Sequence, residues 1–168
     1  MTEMDATLAA LQMAIQTELD GFNFYQEFAE RTEDSNARAM FEQLAKDEVM
    51  HLELLRNNKA MLQEGGEWIQ YLAVSPDPIK GAPIFSRERV AQNVVAYTSD
   101  LSALRMAYLI EKDAVAFYTR AAQETDDPNG RRMFFDLAKM EQGHLNLLEG
   151  EYNFMRGQFQ MTMGFSPF

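Results

Sequence analysis

Cysteine is missing from all 168 residues. That excludes disulfides, thiolate zinc sites, iron–sulfur clusters and four-thiolate iron centres on this chain. Histidine is nearly missing too, with two residues. Basic charge is in the minority: 15 Lys and Arg stand against 26 Asp and Glu, for a formal net charge of -11. Such a balance argues against nucleic acid and anionic membrane as partners and favours attraction of cations. No apolar run approaches the length of a membrane span. The opening stretch MTEMDATLAALQMAI is acidic where a secretory signal needs a basic start. The expectation is a cytoplasmic protein with no membrane partner. Proline is scarce, and three of the five fall in AVSPDPIKGAPIFS (73–86), which reads as a loop.

The composition is 46% hydrophobic and 11% aromatic. That suits one domain, residues 1–168, with a sizeable core. Twelve methionines read as flexible core filler rather than as metal ligands.

The chain overlays itself when shifted by 93 residues. Between 8–55 and 101–148, 24 of 48 positions are identical. Two copies are too few for a solenoid and suit a pair of similar hairpins. In the first copy Leu8, Leu11, Ile15, Glu18, Phe22, Tyr25, Ala29 and Thr32 step by three and four, which is one stripe of a helix. The second copy repeats the stripe from Leu101 to Thr125. The returning helices do the same, through Ala37, Phe41, Leu44, Glu48, His51 and Leu55, and again from Gly130 to Leu148. Asp34 or Ser35 can cap the first return, and Asp127 followed by Pro128 can cap the second. The hairpins span about 5–64 and 99–157, with Gly65-Gly66 ending the second helix and fraying expected near Gly157. The connection of about 65–98 is long enough to climb a bundle, with a short helix expected over Arg87–Tyr97. The Phe- and Met-rich tail, 158–168, is expected to pack on the bundle or on a partner subunit.

Every long helix carries a glutamate on its apolar stripe: Glu18, Glu48, Glu111 and Glu141. A buried carboxylate without a partner costs several kcal/mol, and four together repel one another. A compensating charge belongs at the same place. Glu18 and Glu48 are 30 residues apart, as are Glu111 and Glu141, and both midpoints fall in turns. Each pair therefore stands roughly 20 Å of helix below its turn. His51 and His144 follow Glu48 and Glu141 by three residues, on the same helical face. Four carboxylates and two imidazoles match two divalent cations; an oxygen and nitrogen set suits iron or manganese and accepts zinc. Tyr25 and Tyr118 lie two turns beyond Glu18 and Glu111 on the same face, placed to hydrogen-bond a ligating carboxylate. Lys46, Asp47, Asp20 and Asp113 read as outward and solvated. Asn58 and Glu151 lie further from the turns, where the bundle is expected to open to water.

Glu18…Phe24-Tyr25…Glu48-x-x-His51, repeated as Glu111…Phe117-Tyr118…Glu141-x-x-His144, resembles the ferritin-like superfamily, and most of all the rubrerythrin domain. The resemblance covers roughly residues 5 to 157. It implies an all-α, ferritin-like four-helix bundle of two pseudo-twofold hairpins joined by a long crossover. It also implies a non-haem di-iron site in a homodimer that reacts with peroxide or O2. By that resemblance Glu18 and Glu111 are terminal ligands, Glu48 and Glu141 bridge, and His51 and His144 serve one metal each. Rubrerythrins append a rubredoxin domain, which a chain without cysteine does not carry, so the electron donor is external. They also carry a further glutamate one turn past the third-helix ligand. Ala114 stands there in this chain, and Gly21 in the first copy. The six-residue set is closer in form to ferritin-type or oxygen-reacting di-iron sites. The leading expectation is a di-iron oxidoreductase. Its rivals are a protein that binds, stores or delivers iron without turnover, and a metal-free structural bundle.

Overall fold

The structure, a computed structural model, describes residues 3–69 and 94–164. Among them are four long helices and no strand: α1 (Glu3–Arg31), α2 (Ser35–Gln63), α3 (Val94–Glu124) and α4 (Pro128–Thr162). α1 packs along α2 and α3 along α4, and α1 meets α3 across the two hairpins. This is the all-α, ferritin-like four-helix bundle that the resemblance implies. None of the described helices is long and apolar enough to cross a membrane.

The two turns are built from the same parts. Asp34 accepts from the backbone N–H groups of Asn36 and Ala37 at 2.8 and 2.9 Å. Asp127 does the same for Asn129 and Gly130 at 2.7 and 3.1 Å, with Pro128 opening α4. Each cap contributes about 0.5–2 kcal/mol. One turn into each return helix an arginine reaches back to a threonine carbonyl: Arg38 to Thr32 at 3.0 Å, Arg131 to Thr125 at 3.2 Å.

The predicted stripes face inward and make two apolar clusters. One holds Leu11, Leu52, Leu55 and Leu62 with Tyr118, Phe134 and Leu137. The other holds Tyr25, Phe41 and Leu44 with Leu104, Leu148 and Met155. Each cluster thus joins the turn end of one hairpin to the open end of the other, so the hairpins lie antiparallel. Trp68, just past α2, packs edge-on against Phe134 with centroids 6.0 Å apart. α2 therefore ends beside the second turn, while α3 begins at the opposite end of the bundle, beside the first.

Several expectations need correction. α3 begins at Val94, so the last part of the expected short helix is its first turn; residues 70–93 of the crossover, including the expected loop, lie outside the described residues. α4 does not fray at Gly157 but runs to Thr162. Fully buried Met155 and half-buried Phe159 anchor that end, and their burial outweighs the roughly 1 kcal/mol that a helical glycine costs. The tail is thus helical as far as Thr162, while residues 165–168 lie outside the described residues. The bundle does not open to water at Asn58 and Glu151, which are both buried. Asn58 donates to the Leu54 carbonyl and accepts from the Ile69 N–H, each at 2.9 Å, and so ties down the exit from α2. Methionine is not mainly filler: Met40, Met133, Met140 and Met155 are buried, while Met4, Met13, Met50, Met61, Met106, Met161 and Met163 are exposed.

Gly130 occupies the place that Ala37 holds in the first copy. A Cβ there would stand 2.5 Å from the Trp68 ring and 2.8 Å from the Thr125 methyl. Gly130→Ala should therefore lower stability by about 1–3 kcal/mol through overpacking, read as a lower thermal midpoint. Substituting the twin position, Ala37→Gly, removes a methyl from the first turn without touching Trp68, and should leave tryptophan fluorescence unchanged where Gly130→Ala shifts it.

Candidate metal centre

Between the two apolar clusters lies a charged layer. α1 contributes Glu18, α2 contributes Glu48 and His51, α3 contributes Glu111, and α4 contributes Glu141 and His144. All six are at most 5% exposed. The equal spacing from each turn brings them to one height, as the helical rise requires. Asp20 and Asp113, which match across the repeat, point to solvent.

The six side chains form two overlapping groups. Glu18, Glu48, His51 and Glu141 offer ligand atoms within 4.8 Å of one another, and so do Glu48, Glu111, Glu141 and His144. Glu48 and Glu141 belong to both. Both imidazoles turn Nδ1 toward the carboxylates: His51 Nδ1 is 3.0 Å from Glu18 and 2.8 Å from Glu141, and His144 Nδ1 is 3.0 Å from Glu141 and 3.5 Å from Glu111. The rings lie 5.9 Å apart at 25°.

The tyrosines cross between hairpins. The Tyr25 hydroxyl donates to Glu111 Oε1, and the Tyr118 hydroxyl donates to Glu18 Oε1. Each glutamate is thus held by the helix opposite. The expected hydrogen bond to a carboxylate is present, but its partner is the glutamate of the other copy. Each ring also stacks on the phenylalanine of its own return helix, Tyr25 on Phe41 at 6.2 Å and Tyr118 on Phe134 at 6.3 Å, which fixes where the hydroxyl points.

One residue contradicts the sequence reading. Asp47 does not turn outward; it is buried, and its Oδ2 lies 3.2 Å from His144 Nε2. Gln43 donates to its other oxygen at 2.9 Å. The signal was in the repeat. Asp47 pairs with Met140 in the second copy, which is apolar and buried, unlike the twins of Lys46 and Asp20, which are charged and exposed.

The cluster carries more negative charge than a metal-free core can hold. Burial raises Glu48, and the neighbouring Glu141 and Glu18 raise it further. Burial, with Glu141, raises Glu111 from 4.5 to about 8. In Glu141 burial also pushes upward, but the two histidines overcome it and hold the group well below the usual range. For both histidines burial pushes down; Glu141 beside His51, and Asp47 with Glu111 beside His144, more than reverse it. Even so, Glu141 Oε1 is buried without a hydrogen bond: His51 Nδ1 is close to it but has one N–H, aimed at Glu18. A buried carboxylate oxygen left without a donor, inside a set of oxygen and nitrogen ligands, fits a metal site.

Fold and centre together define a ferritin-like carboxylate bundle. Residues 9–152 match the sequence profile of the rubrerythrin family, and the chain belongs to that family. Neither the curated proteins nor the solved structures gave a match.

The raised groups fix a pH dependence. Glu48, Glu111 and both histidines bind protons more tightly folded than unfolded. Their stabilisation is present at low pH and is lost as pH rises through their folded values. The chelated protein should therefore melt progressively lower as pH rises from about 4.5, the unfolded carboxylate value, through about 8, the folded value of Glu111, and metal affinity should rise over the same window as the ion displaces those protons. A thermal midpoint in chelator that climbs with pH would show that the cluster does not hold them.

Proposed function

We propose that this protein is a non-haem di-iron carboxylate oxidoreductase that reacts with peroxide or O2 and draws electrons from a separate donor. What supports the reading is that the two four-residue groups share Glu48 and Glu141. Two ions would then lie side by side, one with Glu18 and His51, the other with Glu111 and His144, and Glu48 and Glu141 between them. Four carboxylates balance two divalent ions, so the loaded layer is neutral between its apolar neighbours. Two bound Fe(II) ions supply one electron each, the pair that, with two protons, takes hydrogen peroxide to water.

The chain's own part is positioning. Tyr25 and Tyr118 each hold Oε1 of a glutamate on the opposite hairpin, Glu111 and Glu18, and so fix the carboxylates that would hold the metal. The clusters above and below exclude water, which strengthens every charge interaction inside. No further glutamate stands one turn past the α1 and α3 glutamates: buried Ala114 occupies that place after Glu111, and Gly21 after Glu18. The reading therefore takes O2 or peroxide chemistry from six ligands. The family resemblance adds a homodimer as the working unit.

Anaerobic titration should load two Fe(II) per chain, and peroxide or O2 should then produce ferric near-ultraviolet absorption. With ascorbate present, repeated additions of peroxide should each be consumed, and Glu141→Ala should abolish both loading and consumption. Consumption that stops after one peroxide per loaded chain would assign the protein to iron storage or delivery instead. Bound iron that stays ferrous under both oxidants would sink the oxidoreductase reading.

A further inference from the structure

The two halves of the centre are copies in their ligands but not in what stands behind them. His144 Nε2 meets Asp47, and Asp47 is itself held by Gln43. In the other half the matching positions are Met140 and Asp136. Met140 is buried and its thioether is a poor acceptor, while Asp136 is engaged by Arg132 at 3.7 Å. The Gln43–Asp47–His144 chain thus has no twin behind His51.

We propose that Asp47 makes the two metal positions unequal, so that the position served by His144 and Glu111 binds its ion first and more tightly. The proposal rests on the reading that the six residues hold two ions. A carboxylate on Nε2 accepts that nitrogen's hydrogen, so Nδ1 keeps its lone pair for the cluster. It also locks the ring plane and raises the basicity of the ligating nitrogen. His51 has the same orientation of Nδ1 but lacks the matching carboxylate. Asp47 lies on α2 and His144 on α4, so the contact also ties the hairpins together where the bridging glutamates stand. Asp47 is a positioning residue: it acts on the metal through His144.

Anaerobic calorimetric titration of the chelator-treated chain with Co(II) tests this. The wild type should bind two ions in two resolved steps. His144→Ala should remove the tighter step and His51→Ala the weaker one. Asp47→Asn should weaken the tighter step by about 10- to 100-fold and leave the other within about twofold. Met140→Asp should strengthen the weaker step. A merely structural Asp47 would weaken both steps together and lower the thermal midpoint of the metal-free protein, which circular dichroism records. Fewer than two ions in the wild type would overturn the two-metal reading itself. Two equal steps, or tighter residual binding in His144→Ala than in His51→Ala, would overturn the inequality and leave the two-metal reading standing. The histidine comparison decides the matter even where Asp47→Asn does not fold.

Discussion

Four carboxylates in one buried layer are the constraint from which the rest of the structure follows. Each on its own costs several kcal/mol to bury as an anion, and side by side they repel. Without metal the layer holds itself together with protons. Glu111 and Glu48 are pushed up, both histidines stay charged further into alkali, and Glu141 alone is driven down between the imidazoles. The layer is therefore a store of exchangeable positive charge. On the proposed reading, a pair of divalent ions would take the place of those protons.

That requirement explains the architecture around it. The cluster residues must be held in place, so they sit mid-helix, on four long helices, away from turns and ends. They must be dry, so an apolar cluster lies on each side, built from the turn of one hairpin and the open end of the other. Antiparallel hairpins accomplish both, but they leave the end of α2 at the wrong height to begin α3. The long crossover is the consequence, and Trp68 packed over Gly130 marks where it departs. The crossed hydrogen bonds serve the same end. Tyr25 and Tyr118 each reach the opposite hairpin, so neither hairpin can shift along the other without releasing a buried carboxylate.

Much of this was legible because duplication turns weak signals into strong ones. One Glu-x-x-His on a helix means little. Two of them, each 30 residues from a stripe glutamate across a turn, set face and height together. The stripe positions from Leu8 to Thr125, the caps at Asp34 and Asp127, and all six cluster residues lie where the spacing puts them. What was not legible depends on tertiary contact. Helical spacing places Tyr25 on the face of Glu18 but cannot reveal that its hydroxyl crosses to Glu111. Glycine propensity argues for a break at Gly157 but is blind to Met155 and Phe159 beneath the last turns. Asn58 looked like a polar gap because its two partners, the Leu54 carbonyl and the Ile69 N–H, are backbone groups that no pattern announces.

Asp47 is the most instructive of these. Its charge and its neighbour Lys46 suggest solvent, and the rule that charge faces water succeeds at Lys46, Asp20 and Asp113. It fails at Asp47 because tertiary contact supplies that side chain with buried donors that solvent would otherwise provide. Lys46 has Lys139 as its twin, Asp20 has Asp113, and these positions are polar in both copies. Asp47 has Met140, and both members of this pair are buried. A carboxylate there needs donors, and His144 Nε2 and the Gln43 amide supply them. Where a repeat keeps its ligands but changes what stands behind them, the two halves of a symmetric centre can differ without any ligand changing. The mismatched pairs of a duplicated sequence therefore carry information that the matched pairs do not.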